Sequence, residues 1–175
     1  MSETDLADDL PEQVKVRRAK YDRLVAAGTP PYALGYPRTH SLADVREQHG
    51  ALELDTASGE TVSVTGRVVL YRTGGRLCFA TVQEGEAQLQ VMVSEDGVGP
   101  ERLAAWKADV DLGDHVGVTG EVISSRRGEL SILVSDWTLT SKALRPLPDK
   151  HKGLTDPESR VRQRYVDLVV NPSSR

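Results

Sequence analysis

The strongest constraint on the fold is a series of five segments in which apolar and polar residues alternate, interrupted once by a helical segment. Alternation with a period of two is the pattern of a β-strand that buries one face. In the third segment, Leu89, Val91 and Val93 form the apolar face. The predicted strands are Thr61–Tyr71, Arg76–Gln83, Ala87–Ser94, His115–Ser124 and Glu129–Thr140, and the predicted helix is Pro100–Val110.

Five strands with a helix after the third are typical of the OB fold, a small barrel whose outer face and connecting loops bind oligonucleotides. We therefore predict a mainly β fold with flanking helices, in which residues 61–141 form a five-stranded OB barrel. Residues 1–60 are expected to form an N-terminal helical extension. Residues 142–175 are expected to form an extended linker followed by a helix.

The N-terminal extension contains sequence signals for the start and the end of two helices. Asp9 or a neighbour is expected to cap a first helix that Gly28 ends. Ser41 and Asp44 form a capping box for a second, packing helix. Residues 52–60 are polar and are expected to form a loop before the barrel.

The C-terminal segment predicts an amphipathic helix. Asp156 is its cap, Pro157 its first residue and Asn171 its end. Its apolar stripe consists of Val161, Tyr165, Leu168 and Val169. Because the sequence supplies nothing obvious for this stripe to bury against, we interpret the helix as the docking edge of a domain absent from the chain.

Composition excludes several classes of protein. The single cysteine, Cys78, excludes an intrachain disulfide and favours a reducing compartment. The acidic first residues lack the apolar region of a secretory signal, and no apolar run approaches the ~20 residues that cross a bilayer. We therefore expect a cytoplasmic protein without membrane contacts. The formal net charge of −4 gives no bulk positive field, so binding of nucleic acid must depend on local groups.

Catalytic signatures are missing from the sequence. The four histidines are scattered, and with one cysteine they form no metal-ligand cluster. There is no phosphate-binding glycine-rich loop and no Gly-x-Ser-x-Gly elbow. We expect no catalytic residue, no metal site and no cofactor in this chain, and no enzyme activity from the chain alone.

The candidate binding site surrounds Phe79, the only phenylalanine, on the polar face of the second predicted strand. Arginines lie in the two loops beside it: Arg72 and Arg76 with Gly74-Gly75 between them, and Arg126 and Arg127 before Gly128. The glycines are expected to supply positive φ for tight turns. An exposed aromatic ring with nearby cations is the composition that stacks a base and holds its phosphates. The alternative is a Phe79 that packs under the N-terminal helix.

Two further polar residues indicate which base fits. Gln90 lies one strand away on the same face as Phe79, and Glu129 begins the fifth strand. Uracil presents a ring N–H between two carbonyls, so Glu129 accepts from the N–H while Gln90 or Arg72 donates to a carbonyl. Cytosine presents a lone pair at that ring position, which a carboxylate repels. The set therefore favours uracil.

The first helix has a basic face that includes Lys15 and Arg18. One interpretation is a solvated face on a packing helix. The other is that Lys15 and Arg18 contact RNA phosphates, as Arg76, Arg126 and Arg127 are predicted to do.

Several motifs together resemble a known family. The run Lys142-Ala-Leu-Arg-Pro-Leu-Pro-Asp-Lys150, then Gly153-Leu154 and Arg162-Gln-Arg-Tyr165-Val-Asp-Leu168, resembles the joint between the anticodon-binding and catalytic domains of bacterial-type class II lysyl-tRNA synthetases. The barrel motifs Gly66-Arg67, Gly75-Arg76-x-x-Phe79 and Arg127-Gly-Glu-Leu-Ser131 are similar to that family as well. The chain departs from the family at Arg76, where lysine is usual, and at Glu84, where aspartate is usual.

The resemblance implies that the barrel recognises the UUU anticodon of tRNA(Lys), with the middle uridine stacked on Phe79 and contacted by Arg72, Gln90 and Glu129. It also implies a parent enzyme, a homodimer, that attaches lysine to tRNA with ATP and Mg²⁺ in a catalytic domain that this chain lacks. The alternatives are a stand-alone RNA-binding paralogue and an OB module that binds a protein, both without ligase activity.

Overall fold

The computed structural model describes residues 11–148 and 154–174, which fall into two compact units divided between Leu144 and Arg145. The first unit contains a five-stranded sheet. Along the chain, its helices either precede the first strand or lie between the third and fourth strands. No helix in the described part of the chain is long and apolar enough to span a bilayer. The strands are β1 (Thr56–Thr73), β2 (Leu77–Glu84), β3 (Ala87–Ser94), β4 (His115–Ser124) and β5 (Leu130–Ser141).

The five strands close into a barrel in the order β1-β2-β3-β5-β4, with β4 returning to β1. Neighbouring strands are antiparallel except β3 and β5, which are parallel. The predicted OB barrel is confirmed. Its interior is filled by the apolar faces that alternation predicts, because Cys78, Ala80 and Val82 of β2 are all buried while Phe79 between them is not.

Strand β1 differs from the prediction in length and in register. The loop predicted for residues 52–60 is wrong from Thr56 onward, because Thr56 and Ala57 pair with Ser124 and Ile123 of β4. The register of β1 is also irregular at Val69. Val68 pairs with Val82 and Leu70 pairs with Thr81, so β1 has one extra residue between these two pairs. Such a β-bulge shifts the faces of all later residues by one position.

Among the described residues of the first unit, the helices are α1 (Glu12–Ala26), α2 (Leu42–His49), α3 (Glu95–Val98) and α4 (Pro100–Asp109). Helix α4 is the helix predicted between the third and fourth strands. Helix α2 has the predicted capping box of Ser41 and Asp44. Pro11 is the N-cap residue of α1, and Gly28 follows its end with φ of +71°. The predicted cap Asp9 lies outside the described residues.

Basic side chains hold helix α1 against the barrel. The sequence pattern did not predict this packing role. Arg17 is buried and donates to the carbonyls of Leu112 and Ala143 at 2.8 and 2.9 Å. Lys20 pairs with Asp111 at 2.7 Å. The basic face of α1 is therefore partly a packing surface.

A buried ion cluster joins the end of β5 to the loop before β4. Lys142 Nζ lies 2.6 Å from Asp111 and 2.7 Å from Asp114, and both Lys142 and Asp114 have fully buried side chains. Burial raises the pKa of Asp114 even though Lys142 donates to it. Burial also opposes ionisation of Asp111, but hydrogen bonds from Lys142 and Lys20 lower the pKa of that carboxyl.

We expect Lys142→Met to reduce the free energy of unfolding by about 3–5 kcal/mol, because it leaves the buried Asp114 without a counter-charge. The matched control is Lys20→Met, which removes a more exposed lysine from Asp111 and should cost ~1 kcal/mol or less. Urea unfolding of both variants measures the difference. Equal losses for the two variants would contradict a special role for the buried pair.

Residues 154–174 of the second unit contain two short α-helices where the sequence predicts one. Helices α5 (Pro157–Arg162) and α6 (Arg164–Val170) are separated by Gln163, whose φ of −114° and ψ of 48° leave helical geometry. The caps at Asp156 and the end at Asn171 are as predicted. The apolar stripe is exposed, with Val161 at 80%, Tyr165 at 67% and Leu168 at 40%.

Asp167 connects the two short helices. Its buried carboxylate accepts from Arg160 at 2.9 Å, from Arg164 at 2.6 Å and from Asn171 at 2.6 Å. The bond from Arg160 links the two helices across the break. Burial works against ionisation, but hydrogen bonds led by those from Asn171 and Ser174 lower the pKa of Asp167 to about 2.

A carboxyl group whose pKa is lowered on folding stabilises the fold above its ordinary pKa and loses that contribution as the pH falls through the lowered value. We therefore expect the α6 amide chemical shifts to move toward coil values between about pH 4 and pH 2. Asp167→Asn should show coil-like α6 shifts already at pH 6. The control Glu158→Gln, which removes an exposed i,i+4 pair with Arg162, should keep the helical shifts. Helical α6 shifts in Asp167→Asn would contradict the role of this carboxylate.

Candidate nucleic-acid interface

The centre of the site is a pair of side chains on β1 and β2. Arg72 and Phe79 are direct cross-strand partners, and the Arg72 guanidinium carbon lies 5.8 Å from the centroid of the Phe79 ring. The bulge at Val69 produces this pairing, because the extra residue directs Arg72 outward whereas even-numbered residues before it point into the core. The cation therefore lies over an aromatic face, where the ring quadrupole attracts it.

Phe79 lies on the outer wall of the barrel. It is half-buried, pairs with Met92 of β3, and does not belong to the buried apolar core. The ring lines an open cleft, so the alternative in which Phe79 packs as a core residue under a helix is not the arrangement that the fold adopts. Part of the ring is therefore accessible from the cleft.

Gln90 and Glu129 are connected through a serine. Gln90 pairs with Ser131 in the parallel β3–β5 ladder, and its amide nitrogen donates to the Ser131 hydroxyl at 2.9 Å. That hydroxyl donates in turn to the main-chain carbonyl of Glu129 at 2.9 Å. Ser131 is fully buried beneath these bonds. The bonds fix the amide plane of Gln90 and leave its second N–H free to bind a ligand.

The β4–β5 turn presents the second pair of arginines. Gly128 has φ of +78° and its amide donates to the Ser125 carbonyl at 2.8 Å, so this glycine has the predicted role. The Ser125 hydroxyl accepts from the amide of Glu129 at 3.0 Å and fixes the start of β5. Arg126 and Arg127 lie at the tip, both exposed.

The β1–β2 turn uses its glycines differently from the prediction. Neither Gly74 nor Gly75 has positive φ. Gly74 is required instead by a close approach, since a Cβ there would lie 2.7 Å from the Leu77 carbonyl oxygen. Lys107 of α4 donates to the Gly75 carbonyl and holds the turn from outside.

All four predicted base-reading residues border a single cleft of about 640 Å³. Its apolar lining consists of Leu77, Phe79, Met92 and Ile123. Its polar lining consists of Asp55, Arg72, Thr73, Gln90, Ser124, Ser125, Arg126, Arg127 and Glu129. The cleft therefore combines a stacking surface, hydrogen-bonding groups of both kinds and three arginines.

The other predicted phosphate ligands lie outside this cleft. The Arg76 side chain pairs with Asp96 at 2.9 Å and Glu95 at 3.4 Å. Lys15 and Arg18 are on α1, half-buried and exposed respectively. Contacts of these three residues with RNA remain predictions.

Sequence reasoning missed two residues beside the site. Arg46 of α2 lies 3.9 Å from the Glu129 carboxylate, although α2 was expected only to pack. Asp55 lines the cleft and lies 3.6 Å from Arg126. No periodic signal marks either one, because both approach the site through tertiary contacts.

The departure from the family at Glu84 affects a different surface. Its carboxylate accepts from Arg38 and from the first amide of α2 at 2.9 Å. Glu84 therefore caps α2 and takes no part in the cleft. Within the described residues, no three His, Cys, Asp or Glu side chains are placed to bind a metal ion.

Comparisons with known proteins agree with the fold. Residues 62–140 match the family described as an OB-fold nucleic acid binding domain. The whole chain is 58% identical to the lysine–tRNA ligases of Mycolicibacterium gilvum and Mycobacterium tuberculosis, and covers 35% of each. It is 59% identical, over 96% of its length, to the lysine–tRNA ligase of Kineococcus radiotolerans, and covers 34% of that protein.

A different kind of protein also contains a similar region. The bifunctional protein of lysylphosphatidylglycerol biosynthesis from Nocardia farcinica is 45% identical over 94% of the chain, which covers 14% of that protein. The chain thus spans about a third of the length of the ligases that it resembles. It belongs to the lysyl-tRNA synthetase family and corresponds to the N-terminal OB-fold anticodon-binding region of those enzymes.

Proposed function

We propose that this region reads a UUU anticodon by stacking a uracil on Phe79 and bonding its edge with Gln90, Glu129 and Arg72. The observation that supports the proposal most is the convergence of all four side chains on one cleft. The same four residues follow from hydrogen-bond chemistry and from the family motif. A cleft with one aromatic wall and polar groups around it suits a base that is splayed out of its loop.

The hydrogen-bonding groups that would face the edge of the bound base favour uracil. Glu129 supplies an acceptor for the ring N–H, and its carboxylate is exposed at the mouth of the cleft. Gln90 donates one N–H to Ser131, so its second N–H is available for a uracil carbonyl. Arg72 lies over the ring on which the base would stack and donates to the other carbonyl or to the flanking phosphate.

Arg126 and Arg127 would contact the RNA backbone. They border the cleft at the β4–β5 turn and are exposed, so a phosphate reaches them without displacing protein packing. Because the chain as a whole carries a net charge of −4, attraction of RNA is confined to this local patch.

We further propose that the complete protein is a lysine–tRNA ligase of the cytoplasm that acts as a homodimer. Its remaining residues would form the catalytic domain, which uses ATP and Mg²⁺ to activate lysine and transfer it to tRNA(Lys). ATP and Mg²⁺ belong to that domain and not to the cleft. Aminoacylation assays on the full-length protein, with and without the barrel, test this proposal.

We expect Phe79→Ala to weaken binding of a UUU anticodon stem-loop by about five- to 150-fold, because base–aromatic stacking contributes ~1–3 kcal/mol. Phe79→Leu should lose most of the same affinity while keeping an apolar side chain on the barrel wall. Fluorescence titration with a labelled stem-loop measures both.

The control for this pair is Leu34→Ala, which removes a fully exposed apolar side chain elsewhere in the same unit. Its affinity should equal that of the wild type. Unchanged affinity in Phe79→Ala would refute the stacking role, and equal wild-type affinity for UUU and UCU loops would refute base reading.

We expect Glu129→Gln to reduce the preference for UUU over UCU by about tenfold or more, because a hydrogen bond to a charged group contributes ~1.5–3 kcal/mol. Glutamine supplies an amide that donates to the cytosine ring nitrogen, so the UCU loop should bind better. The matched control Glu86→Gln removes the same charge from the β2–β3 turn, where the side chain is exposed and does not border the cleft. An unchanged UUU to UCU ratio in Glu129→Gln would exclude this carboxylate as the reader of the ring N–H.

A further inference from the structure

One residue that lines the cleft, Asp55, comes from the segment that the sequence places in a loop. Thr56 pairs with Ser124 at the start of β1, and the preceding Asp55 amide approaches the Ser125 carbonyl at 3.4 Å. Leu54 covers Gly128, where an added Cβ would lie 2.8 Å from the leucine side chain. The chain before β1 is thereby fixed against the turn that presents Arg126.

Asp55 has a specific backbone conformation at this point. Its φ of +54° is the only positive value for a residue other than glycine in the described part of the chain. Aspartate and asparagine adopt this left-handed region more readily than most residues do. The conformation directs the Asp55 carboxylate toward Arg126, with 3.6 Å between Oδ1 and Nε.

This ion pair is solvent-exposed and lies at the site where RNA phosphates are proposed to bind. The side chains of Asp55 and Arg126 are 67% and 88% exposed, and both border the cleft. An incoming phosphate competes with the Asp55 carboxylate for the same guanidinium. The Asp55 carboxylate also repels that phosphate through space.

We propose that Asp55 is a positioning residue that holds Arg126 at the cleft and competes with the RNA backbone for it. The proposal rests on the proposed function, since it assigns Arg126 to a phosphate. Asp55 lowers affinity for every RNA loop alike, whatever its bases. Binding then depends on the base contacts at Phe79, Gln90 and Glu129, which only a suitable anticodon makes.

The test measures affinity for UUU and UCU stem-loops with the wild type and Asp55→Asn. Asparagine keeps the shape of the side chain and the tolerance for positive φ, so the fold is retained. We expect Asp55→Asn to bind both loops about two- to fivefold more tightly, as for the loss of an exposed ion pair, with an unchanged ratio between them.

The matched control is Asp136→Asn. Asp136 is also 67% exposed and pairs with Arg102 at 2.8 Å, but it does not border the cleft. The substitution Asp136→Asn changes the net charge by the same amount as Asp55→Asn and should leave the affinity for both loops unchanged. If Asp136→Asn increased the affinity as much as Asp55→Asn does, the effect would come from net charge alone. That result would overturn the proposal.

A double-mutant cycle tests whether Asp55 acts through Arg126. Arg126→Gln should weaken binding of both loops, and adding Asp55→Asn to it should give little or no gain. A full gain in the Arg126→Gln background, or no gain from Asp55→Asn alone, would overturn the proposal. Equal wild-type affinity for UUU and UCU would refute base reading yet leave the Asp55–Arg126 coupling measurable, and no RNA binding by any variant would refute both.

Discussion

The geometry of the cleft depends on one extra residue in β1. Before Val69, the even-numbered residues of this strand point into the barrel, and continued alternation would direct Arg72 inward. The bulge at Val69 reverses the faces, so Tyr71 pairs with Ala80 on the core side and Arg72 pairs with Phe79 on the outer side. A one-residue shift flips every later side chain. The cation over the Phe79 ring is thus a consequence of backbone register.

The parts of the fold that were predictable from sequence are those that depend on local periodicity. Phe79 and Gln90 were placed correctly on the outer face because β2 and β3 alternate without interruption. The face of Arg72 was not predictable in the same way, since a bulge leaves no periodic signal. The start of β1 was missed because Thr56–Glu60 is polar and gains its strand pairing from β4, a contact distant in the sequence.

The structural use of charge was likewise hidden from the sequence. Arg17 and Lys142 look like ordinary surface cations in a charged chain, yet both are buried and hydrogen-bonded. A buried charge is tolerated only when it is paired, and its partners come from distant segments of the chain. Composition therefore overstates the number of cations that are available to RNA.

The exposed cations near the cleft are also paired with carboxylates of the same chain. Arg126 faces Asp55, and Arg76 faces Glu95 and Asp96. Because surface pairs of this kind are weak, a phosphate of the proposed RNA ligand would replace the carboxylate at small cost, but the net electrostatic gain would be small too. Selectivity must then come from groups held in fixed positions. The closed barrel supplies such groups, because Phe79 and Gln90 lie on paired strands and Ser131 fixes the amide of Gln90. In the proposed function, little conformational entropy would therefore be lost when a base binds.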